Sequence, residues 1–564
     1  MNIFKLSVKI IGQILFVIIF FSTLQAKNFD KFNEANDISD YFSGILLLND
    51  NQYNDSVKYL KKLNGLEEIH INYSSKYLYS LVNSGKFNEA FNYSRKLEKL
   101  KLDNYESNLI TGIFYLKNSN LNLAKKYFLK AKNKNSRFIL NKYISSSLLN
   151  WSSLKDTDIN NAGLQLEKLD KRFENLKKIQ NVFLNCYYNS SNTNKLFIEL
   201  NSNNKIDFSR YSYFHASYTA SSGKINKAKN IVQSGLELYP RNLLLNQYKI
   251  DLNNEKKINT FECKKESHIA AEILYIAANA LSSQLIYPSS NFYLNLAKFL
   301  NENFDSFDIL LAENFYKIDN FKKAKKIYRN LSQKGEAFKW YSSKQIARIL
   351  VREKDKEKAV KFISDAYKDL NVKEVYEIFD FAEFLKNNEK FEKSIIYYTD
   401  ILNLINQNHP LYSEATDGRG VAYERIGEWD KAEKDLLESL NADPNQAYVI
   451  NYLAYSWIEK GIKIKESLNM LEKANKIKSN DPFIIDSLGW ALFKLERYKE
   501  SKKQLQMAVK LMPGDPIVND HYGDVLWKNG NEIQARYYWN YVLNLEKTEE
   551  DQKKIINKKL IKGL

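Results

Sequence analysis

The sequence predicts an all-α fold, an α-solenoid made of stacked helix–turn–helix repeats. The first observation is a recurrence of small residues, because Gly489 and Gly523 lie 34 residues apart, as do Ser501 and Ala535. The second is the scarcity of helix breakers, with 7 prolines and 18 glycines in 564 residues. The third is the length itself, which exceeds a single hydrophobic core but suits a stack in which each repeat contacts only its neighbours.

Each repeat is predicted to consist of two antiparallel helices that approach closely. A small residue on the first helix is followed twelve positions later by a small residue on the second, so both can lie at the contact. Larger side chains three or four positions away share the same helix faces and fill the remaining space. Pro240, Pro444 and Pro513 are predicted to follow helix ends. The clearest pairs are Gly44/Ser56, Gly112/Ala124, Ala216/Ala228, Ala312/Ala324, Ala347/Ala359, Ala382/Ser394, Gly420/Ala432, Gly489/Ser501 and Gly523/Ala535.

This pattern resembles the tetratricopeptide repeat, a helix pair that stacks into a right-handed superhelix whose concave face is lined by the first helices. Segments 451–457, 486–492 and 519–527 resemble the C-terminal blocks of exported tetratricopeptide-repeat proteins of alphaproteobacteria, and segment 268–274 is similar to that family's restart after its connector. The resemblance implies architecture and export. It implies no activity, because that family has no defined biochemical function.

The repeat pattern divides the sequence into segments. A polar stretch separates two arrays, and the middle of the first array keeps helical periodicity without a clean register. The basic C-terminal segment is predicted to be a helix that shields the last repeat, with Ile555, Ile556 and Leu560 on one side. The predicted segments are a signal peptide or anchor at 1–26, an N-terminal array at 37–249, a polar connector at 250–266, a C-terminal array at 267–546 and a basic capping helix at 547–564.

The N-terminus has the features of an export signal. Lys5 and Lys9 precede an apolar run at 10–24, and Ala26 supplies a small residue at its exit. The run is short for a membrane span, which favours cleavage near Ala26, and retention of residues 5–24 as an inner-membrane tether is the alternative. Either alternative places the rest of the chain outside the cytoplasm, because the positive charges of Lys5 and Lys9 keep the N-terminal end on the cytoplasmic side of the membrane. We therefore expect a periplasmic protein.

The bulk composition argues against a nucleic-acid partner and against a disulfide. The net charge of +17 arises from 84 Lys and Arg against 67 Asp and Glu, and the excess is spread along the chain without a basic stripe. Cys186 and Cys263 are about two repeats apart, whereas a disulfide needs Cα atoms within about 7 Å. We therefore expect two separate buried cysteines.

The sequence lacks the residue patterns that catalysis or metal binding requires. Its five histidines have no zinc-ligand spacing, and it contains no phosphate-binding glycine loop or nucleophile elbow. Carboxylates alternate with lysines in runs such as 353–358, as on solvated helix faces. His215 precedes Ala216 at a packing position and is predicted to lie in the core. We predict no enzyme activity, no cofactor and no metal.

The predicted binding surface is the concave face of the C-terminal array. Counting back from the small residues places Asp417, Asn451, Asp486 and Asp520 in one inward column. These aspartates would repel a carboxylate-rich peptide, so a ligand with amide, hydroxyl or cationic groups fits better. Further inward positions on the same helices are Tyr455, Trp490, Phe493, Asp524 and Trp527.

The tryptophans of this surface allow two interpretations. Trp490 and Trp527 are either anchors for a protein partner or side chains that pack against the next repeat. Trp457 and Trp539 fall at core positions and are predicted to be structural.

Together these features predict a non-enzymatic scaffold or adaptor that binds a polypeptide in a concave groove. The alternative is an envelope protein that binds a glycan or polymer or takes part in export, because aromatic rings beside Asp and Asn also suit sugar hydroxyls. A third hypothesis is an assembly factor or enzyme regulator that a retained N-terminal helix tethers to the membrane.

Overall fold

The structure is a computed structural model that describes residues 35–70, 72–134, 138–202, 207–256 and 260–564. These residues form 30 α-helices and no strand, which confirms the predicted all-α fold. The predicted signal peptide or anchor at 1–26, including the tether at 5–24, lies outside the described residues. Among the helices that are described, none is long and apolar enough to cross a membrane.

The described chain forms two compact units, one that ends at Asp355 and one from Lys356 to Leu564. Both consist of helices joined mostly by short turns. The predicted polar connector at 250–266 falls inside the first unit. The boundaries predicted for the two repeat arrays, 37–249 and 267–546, stay a prediction.

The first unit contains eighteen described helices. They are α1 (Ala35–Asn49), α2 (Tyr53–Lys62), α3 (Tyr73–Asn83), α4 (Phe87–Lys99), α5 (Tyr105–Lys117), α6 (Leu121–Lys134), α7 (Ile139–Trp151), α8 (Ile159–Glu167), α9 (Glu174–Tyr187), α10 (Thr193–Asn201), α11 (Ser209–Ser221), α12 (Ile225–Leu238), α13 (Leu243–Asn253), α14 (Glu266–Ser283), α15 (Tyr287–Leu300), α16 (Ser306–Lys317), α17 (Phe321–Leu331) and α18 (Glu336–Arg352). Short 3-10 helices occur at Leu66–Glu68, Leu154–Asp156 and Lys171–Phe173.

The second unit contains twelve helices. They are α19 (Lys356–Lys368), α20 (Val375–Asn387), α21 (Phe391–Leu404), α22 (Tyr412–Arg425), α23 (Trp429–Ala442), α24 (Ala447–Glu459), α25 (Ile464–Ile477), α26 (Pro482–Lys494), α27 (Tyr498–Leu511), α28 (Pro516–Lys528), α29 (Glu532–Leu543) and α30 (Glu550–Lys562).

Paired helices touch where the sequence places glycine, as the repeat pattern predicts. A Cβ atom on Gly489 would lie 2.6 Å from Leu505 Cγ, and one on Gly523 would lie 2.5 Å from Trp539 Nε1. Side chains do not approach this closely, so glycine permits the contact between the two helices. The Ser501 hydroxyl adds a hydrogen bond to the Gly489 carbonyl at 2.7 Å across the same contact.

Helix ends follow the positions of proline and aspartate. Asp481 and Asp515 each accept two backbone N–H bonds at the start of α26 and α28, and a proline follows each of them. Proline suits the first helical position because its missing N–H would have no partner there. The predicted stops are confirmed, since α12, α23 and α27 each end two residues before Pro240, Pro444 and Pro513.

The first unit fills its inner face with its own helices. α14 contacts α5 and α7, and α15 contacts α3 and α5, which are the first helices of successive hairpins. Phe292 of α15 stacks on Tyr79 of α3 with ring centroids 4.2 Å apart, and Asn295 donates to Asn83 Oδ1 at 3.0 Å. The surface that these hairpins would present to a partner is therefore occupied by later residues of the same chain.

The expectation of two separate cysteines is wrong. Cys186 on α9 and Cys263, just before α14, form a disulfide with Cα atoms 6.0 Å apart. The expectation failed because it counted repeats along a regular stack, whereas the segment before α14 folds back onto α9. Phe261 accordingly packs on Phe183 of α9, with ring centroids 5.1 Å apart.

The last helix caps the second unit. Ile556 of α30 is fully buried in a cluster with Val525, Trp539 and Val542, so the helix shields the final hairpin as predicted. Leu560 packs against the same cluster, whereas Ile555 is 53% exposed. Only two of the three predicted apolar residues therefore face the repeats.

Candidate functional site

The inner face of the second unit is formed by the first helices of its hairpins. α20 contacts α22, α24 contacts α26, and α26 contacts α28. The Tyr452 hydroxyl of α24 donates to Glu424 of α22 at 2.8 Å, so these helices lie side by side. The repeat period distributes the nine predicted site residues over four of them. Asp417 lies on α22; Asn451 and Tyr455 lie on α24; Asp486, Trp490 and Phe493 lie on α26; and Asp520, Asp524 and Trp527 lie on α28.

Asp486 binds a histidine of the next hairpin. Nδ1 of His521 lies 3.1 and 3.0 Å from the two carboxylate oxygens of Asp486, and both side chains are buried. Burial disfavours the charged imidazole, but the nearby Asp486 carboxylate outweighs burial and raises the pKa of His521. The pair therefore connects α26 to α28 and uses the carboxylate that was predicted to face a ligand.

Trp490 also packs between repeats. Its ring stacks on His521 with centroids 4.0 Å apart and on Phe493 with centroids 4.7 Å apart. Its Nε1–H donates to Glu459 Oε1 at 2.7 Å, and Lys494 Nζ lies 4.8 Å from its ring centroid. The indole is only 8% exposed, so this geometry corresponds to the interpretation of Trp490 as a contact between repeats.

Asp520 and Asp524 bind a lysine of the capping helix. Lys559 Nζ lies 2.6 Å from Asp520 Oδ1 and 2.7 Å from Asp524 Oδ1. Asp524 also accepts the indole N–H of Trp539 at 2.9 Å. Burial and the adjacent Asp520 carboxylate raise the pKa of Asp524 to about 6, and Lys559 opposes the shift. This end of the column is therefore occupied by a cation of the chain itself.

Trp527 lies beneath the end of the capping helix. The guanidinium of Arg536 lies 4.7 Å from its ring centroid, and the ring of Trp539 lies 5.5 Å away. Gly563 approaches so closely that a Cβ on it would collide with the Trp527 ring. Trp527 therefore packs within its own chain.

Asp417, Asn451 and Tyr455 differ from the other polar residues of this face. Within the described residues their side chains form no hydrogen bond, although each is half-buried. Burial raises the pKa of Asp417 to about 6, with Lys386 opposing the shift and Glu383 adding to it. The Asn451 side-chain oxygen is inaccessible to water and has no donor. These residues form the part of the face with unused hydrogen-bonding capacity.

Sequence reasoning missed the residues that occupy the column. His521 and Lys559 each follow by 35 positions an aspartate that they bind, Asp486 and Asp524 respectively. That spacing links a helix of the inner face to the next helix in the stack, and it is present in the sequence. The pattern of small residues, however, predicts only the contacts within a hairpin.

The structural predictions for Trp457, Trp539 and His215 are confirmed. Trp457 and Trp539 are buried, and His215 is buried with its ring stacked on Phe197 at 4.9 Å. In the parts of the chain that the structure describes, no group of three or more His, Cys, Asp or Glu residues could hold a metal ion.

Comparison with known proteins agrees with this geometry. Residues 311–548 match the tetratricopeptide repeat family. Over 120 residues the chain is 29% identical to a TPR repeat-containing protein of Pseudomonas aeruginosa, a match that covers 20% of this chain and 18% of that relative's length.

The similarity of this chain to solved structures is low in both sequence identity and TM-score. A chain of the APC/C hetero-tetramer Cut9-Hcn1 is 13% identical with a TM-score of 0.38, over 93% of this chain and 97% of that chain. YrrB, described as a TPR protein with an unusual peptide-binding site, is 17% identical with a TM-score of 0.28, over 35% of this chain and 97% of its own. MamA of Desulfovibrio magneticus is 17% identical with a TM-score of 0.28, over 31% of this chain and 97% of that chain.

The family match and the helix hairpins lead to the same conclusion. The described residues form an all-α solenoid of helix hairpins, and residues 311–548 carry the match to the tetratricopeptide repeat, a fold that generally serves as a scaffold for protein–protein interaction.

Proposed function

We propose that the chain is a non-enzymatic scaffold that binds a polypeptide partner on the inner face of its second unit. One observation carries the proposal: the first unit covers the inner face of its early hairpins with α14 and α15, whereas α22 and α24 keep polar side chains without partners among the described residues. Buried polar groups are almost always hydrogen-bonded in folded proteins, so unused acceptors on a helix face favour a ligand that supplies donors.

The buried state of Trp490 favours a polypeptide over a glycan. Sugar binding would need an accessible aromatic ring as a platform, whereas this indole is only 8% exposed and stacks on His521 and Phe493. Tyr455 is half-buried, and burial raises the pKa of its hydroxyl, with nearby carboxylates adding to the shift. Such a hydroxyl is a hydrogen-bond donor over a wide pH range.

We further propose that the chain works in the periplasm. The disulfide between Cys186 and Cys263 supports an oxidising compartment, since such bonds are rare in reducing cytosol. The basic start and apolar run predicted as an export signal point to the same compartment. N-terminal sequencing of the native protein distinguishes a cleaved signal peptide from a retained tether, because a mature start at Lys27 would exclude the tether.

Site-specific photo-crosslinking tests the partner proposal. Benzoylphenylalanine replaces Tyr455 on the inner face in one variant and Tyr537 in a control, because Tyr537 is 67% exposed on the second helix α29. We expect a discrete adduct from position 455 in the native host and none of the same mass from position 537. Mass spectrometry of the adduct would reveal peptide sequence. An adduct without peptide sequence would favour the glycan alternative, and equal adducts from both positions would contradict the proposed face.

A further inference from the structure

Two acidic residues on the inner face of the second unit, Asp486 and Asp524, follow a pairing rule. Asp486 of α26 binds His521, which lies 35 positions later on the next first helix. Asp524 of α28 binds Lys559, which also lies 35 positions later, on the capping helix. Each of these two acids therefore binds a basic side chain from the helix that lies next to its own in the stack.

Asp417 of α22 departs from this rule. The residue 35 positions later is Tyr452, and its hydroxyl donates to Glu424 Oε2 at 2.8 Å instead. Nearby charges do not compensate, because Lys386 pairs with Glu383 at 2.5 Å and Glu414 adds a further negative charge. Within the described residues Asp417 has no hydrogen bond and no ion pair. A half-buried carboxylate without a cation or a hydrogen-bond donor from the chain is unfavourable in the protein alone.

A second observation lies on the neighbouring helix. Asn451 occupies on α24 the position that Asp417 occupies on α22, one period of 34 residues later. Its Oδ1 atom is sealed from water without a donor. An unsatisfied buried acceptor costs about 1–3 kcal/mol, so this oxygen independently indicates a missing donor on the same face.

We propose that Asp417 is the binding site for a lysine or arginine side chain of the polypeptide partner, and that Asn451 accepts an N–H from the same segment. This inference rests on the proposed function and specifies the chemistry of the ligand. The capping helix already shows the interaction within the chain, since Lys559 reaches across to two aspartates of this face. A metal ion is a poorer candidate, because no three potential metal ligands converge in the described parts of the chain.

A random peptide library displayed on phage provides the probe. The full-length chain selects peptides in parallel with Asp417→Asn, which removes the charge with little change in shape, and with Asp430→Asn as the control. Asp430 lies in the first turn of the second helix α23 and is exposed, so its charge is lost away from the inner face. The expected result is a fixed Lys or Arg position in peptides selected by the wild type and by Asp430→Asn. Its enrichment should fall on the order of tenfold or more with Asp417→Asn, as expected for a charge-assisted hydrogen bond.

The outcomes separate this inference from the proposed function. Peptides without a fixed cationic position, or with the same position after selection by Asp417→Asn, overturn the assignment of Asp417 and leave the scaffold function standing. Failure of the wild type to select any peptide contradicts both.

Discussion

Replacing Asp417 by asparagine should stabilise the second unit of the protein when no partner is bound. The substitution keeps the size of the side chain and removes a charge that no cation in the described residues neutralises. Most substitutions at buried polar positions destabilise a protein, so a gain in stability is a distinctive expectation. It follows directly from the absence of a partner for this carboxylate.

The magnitude follows from the pKa shift of this carboxyl. Burial raises the pKa of Asp417 from 3.8 to about 6. At about 1.4 kcal/mol per pKa unit, the charged form costs about 3 kcal/mol in the folded state, and partial solvent access reduces this to about 2 kcal/mol. A raised carboxyl pKa means that stability is lost as pH rises from about 4 to about 6. The variant should therefore match the wild type near pH 4 and exceed it by about 2 kcal/mol above pH 6.

Hydrogen exchange of the α22 amides measures the local free energy of opening in both proteins. Tryptophan fluorescence during urea unfolding gives a second reading, because five of the seven tryptophans lie in the second unit. Asp430→Asn serves as the matched control and should change neither measurement by more than about 0.5 kcal/mol. Equal stability of Asp417→Asn and wild type at pH 7.5, or a less stable variant, would refute the view that Asp417 is unpaired.

Three further predictions concern contacts that hold the units together. Gly489→Ala should destabilise the second unit by about 1–3 kcal/mol, because its Cβ would lie 2.6 Å from Leu505 Cγ; an unchanged urea midpoint would count against the helix contact. Lys559→Met removes the cation that binds Asp520 and the buried Asp524 and should weaken capping by about 3–5 kcal/mol, seen as faster proteolysis of the C-terminal helix, and equal proteolysis would argue against the ion pair. Cys186→Ser should lower the stability of the first unit by about 4 kcal/mol for a separation of 77 residues and expose a thiol at Cys263, whereas free thiols in the oxidised wild type would exclude the disulfide.

The hairpins could be predicted from the sequence because their contacts are local. Gly489 and Leu505 lie on consecutive helices joined by a short turn, and the close approach of those helices admits only a small side chain. The same limit repeats every 34 residues, so the sequence records it many times. The helix starts at Asp481 and Asp515 are equally local, because the carboxylate caps N–H groups two and three residues ahead.

The disulfide and the filled inner face could not be predicted in the same way. Both result from α14, α15 and the segment before α14 folding back onto much earlier hairpins, as in the stacking of Phe292 on Tyr79 and the packing of Phe261 on Phe183. Contacts over such separations leave no period in one sequence. The site was predicted in part, because the register placed Asp486 and Trp490 on the inner face but could not show that His521 would engage both.

The unpaired acid on α22 is compatible with folding because the same hairpin holds a strong ion pair elsewhere. Arg419 donates to both carboxylate oxygens of Asp435 on α23 at 2.7 and 2.9 Å, and Asp435 is buried. In a repeat stack, stability is a sum of local terms, so this pair can offset the cost at Asp417 within one hairpin. A cationic partner would remove that cost on binding and therefore stabilise α22 more than distant helices. Protection from hydrogen exchange on binding should for this reason be greatest in α22, and protection confined to α28 and α30 would place the partner at the other end of the face.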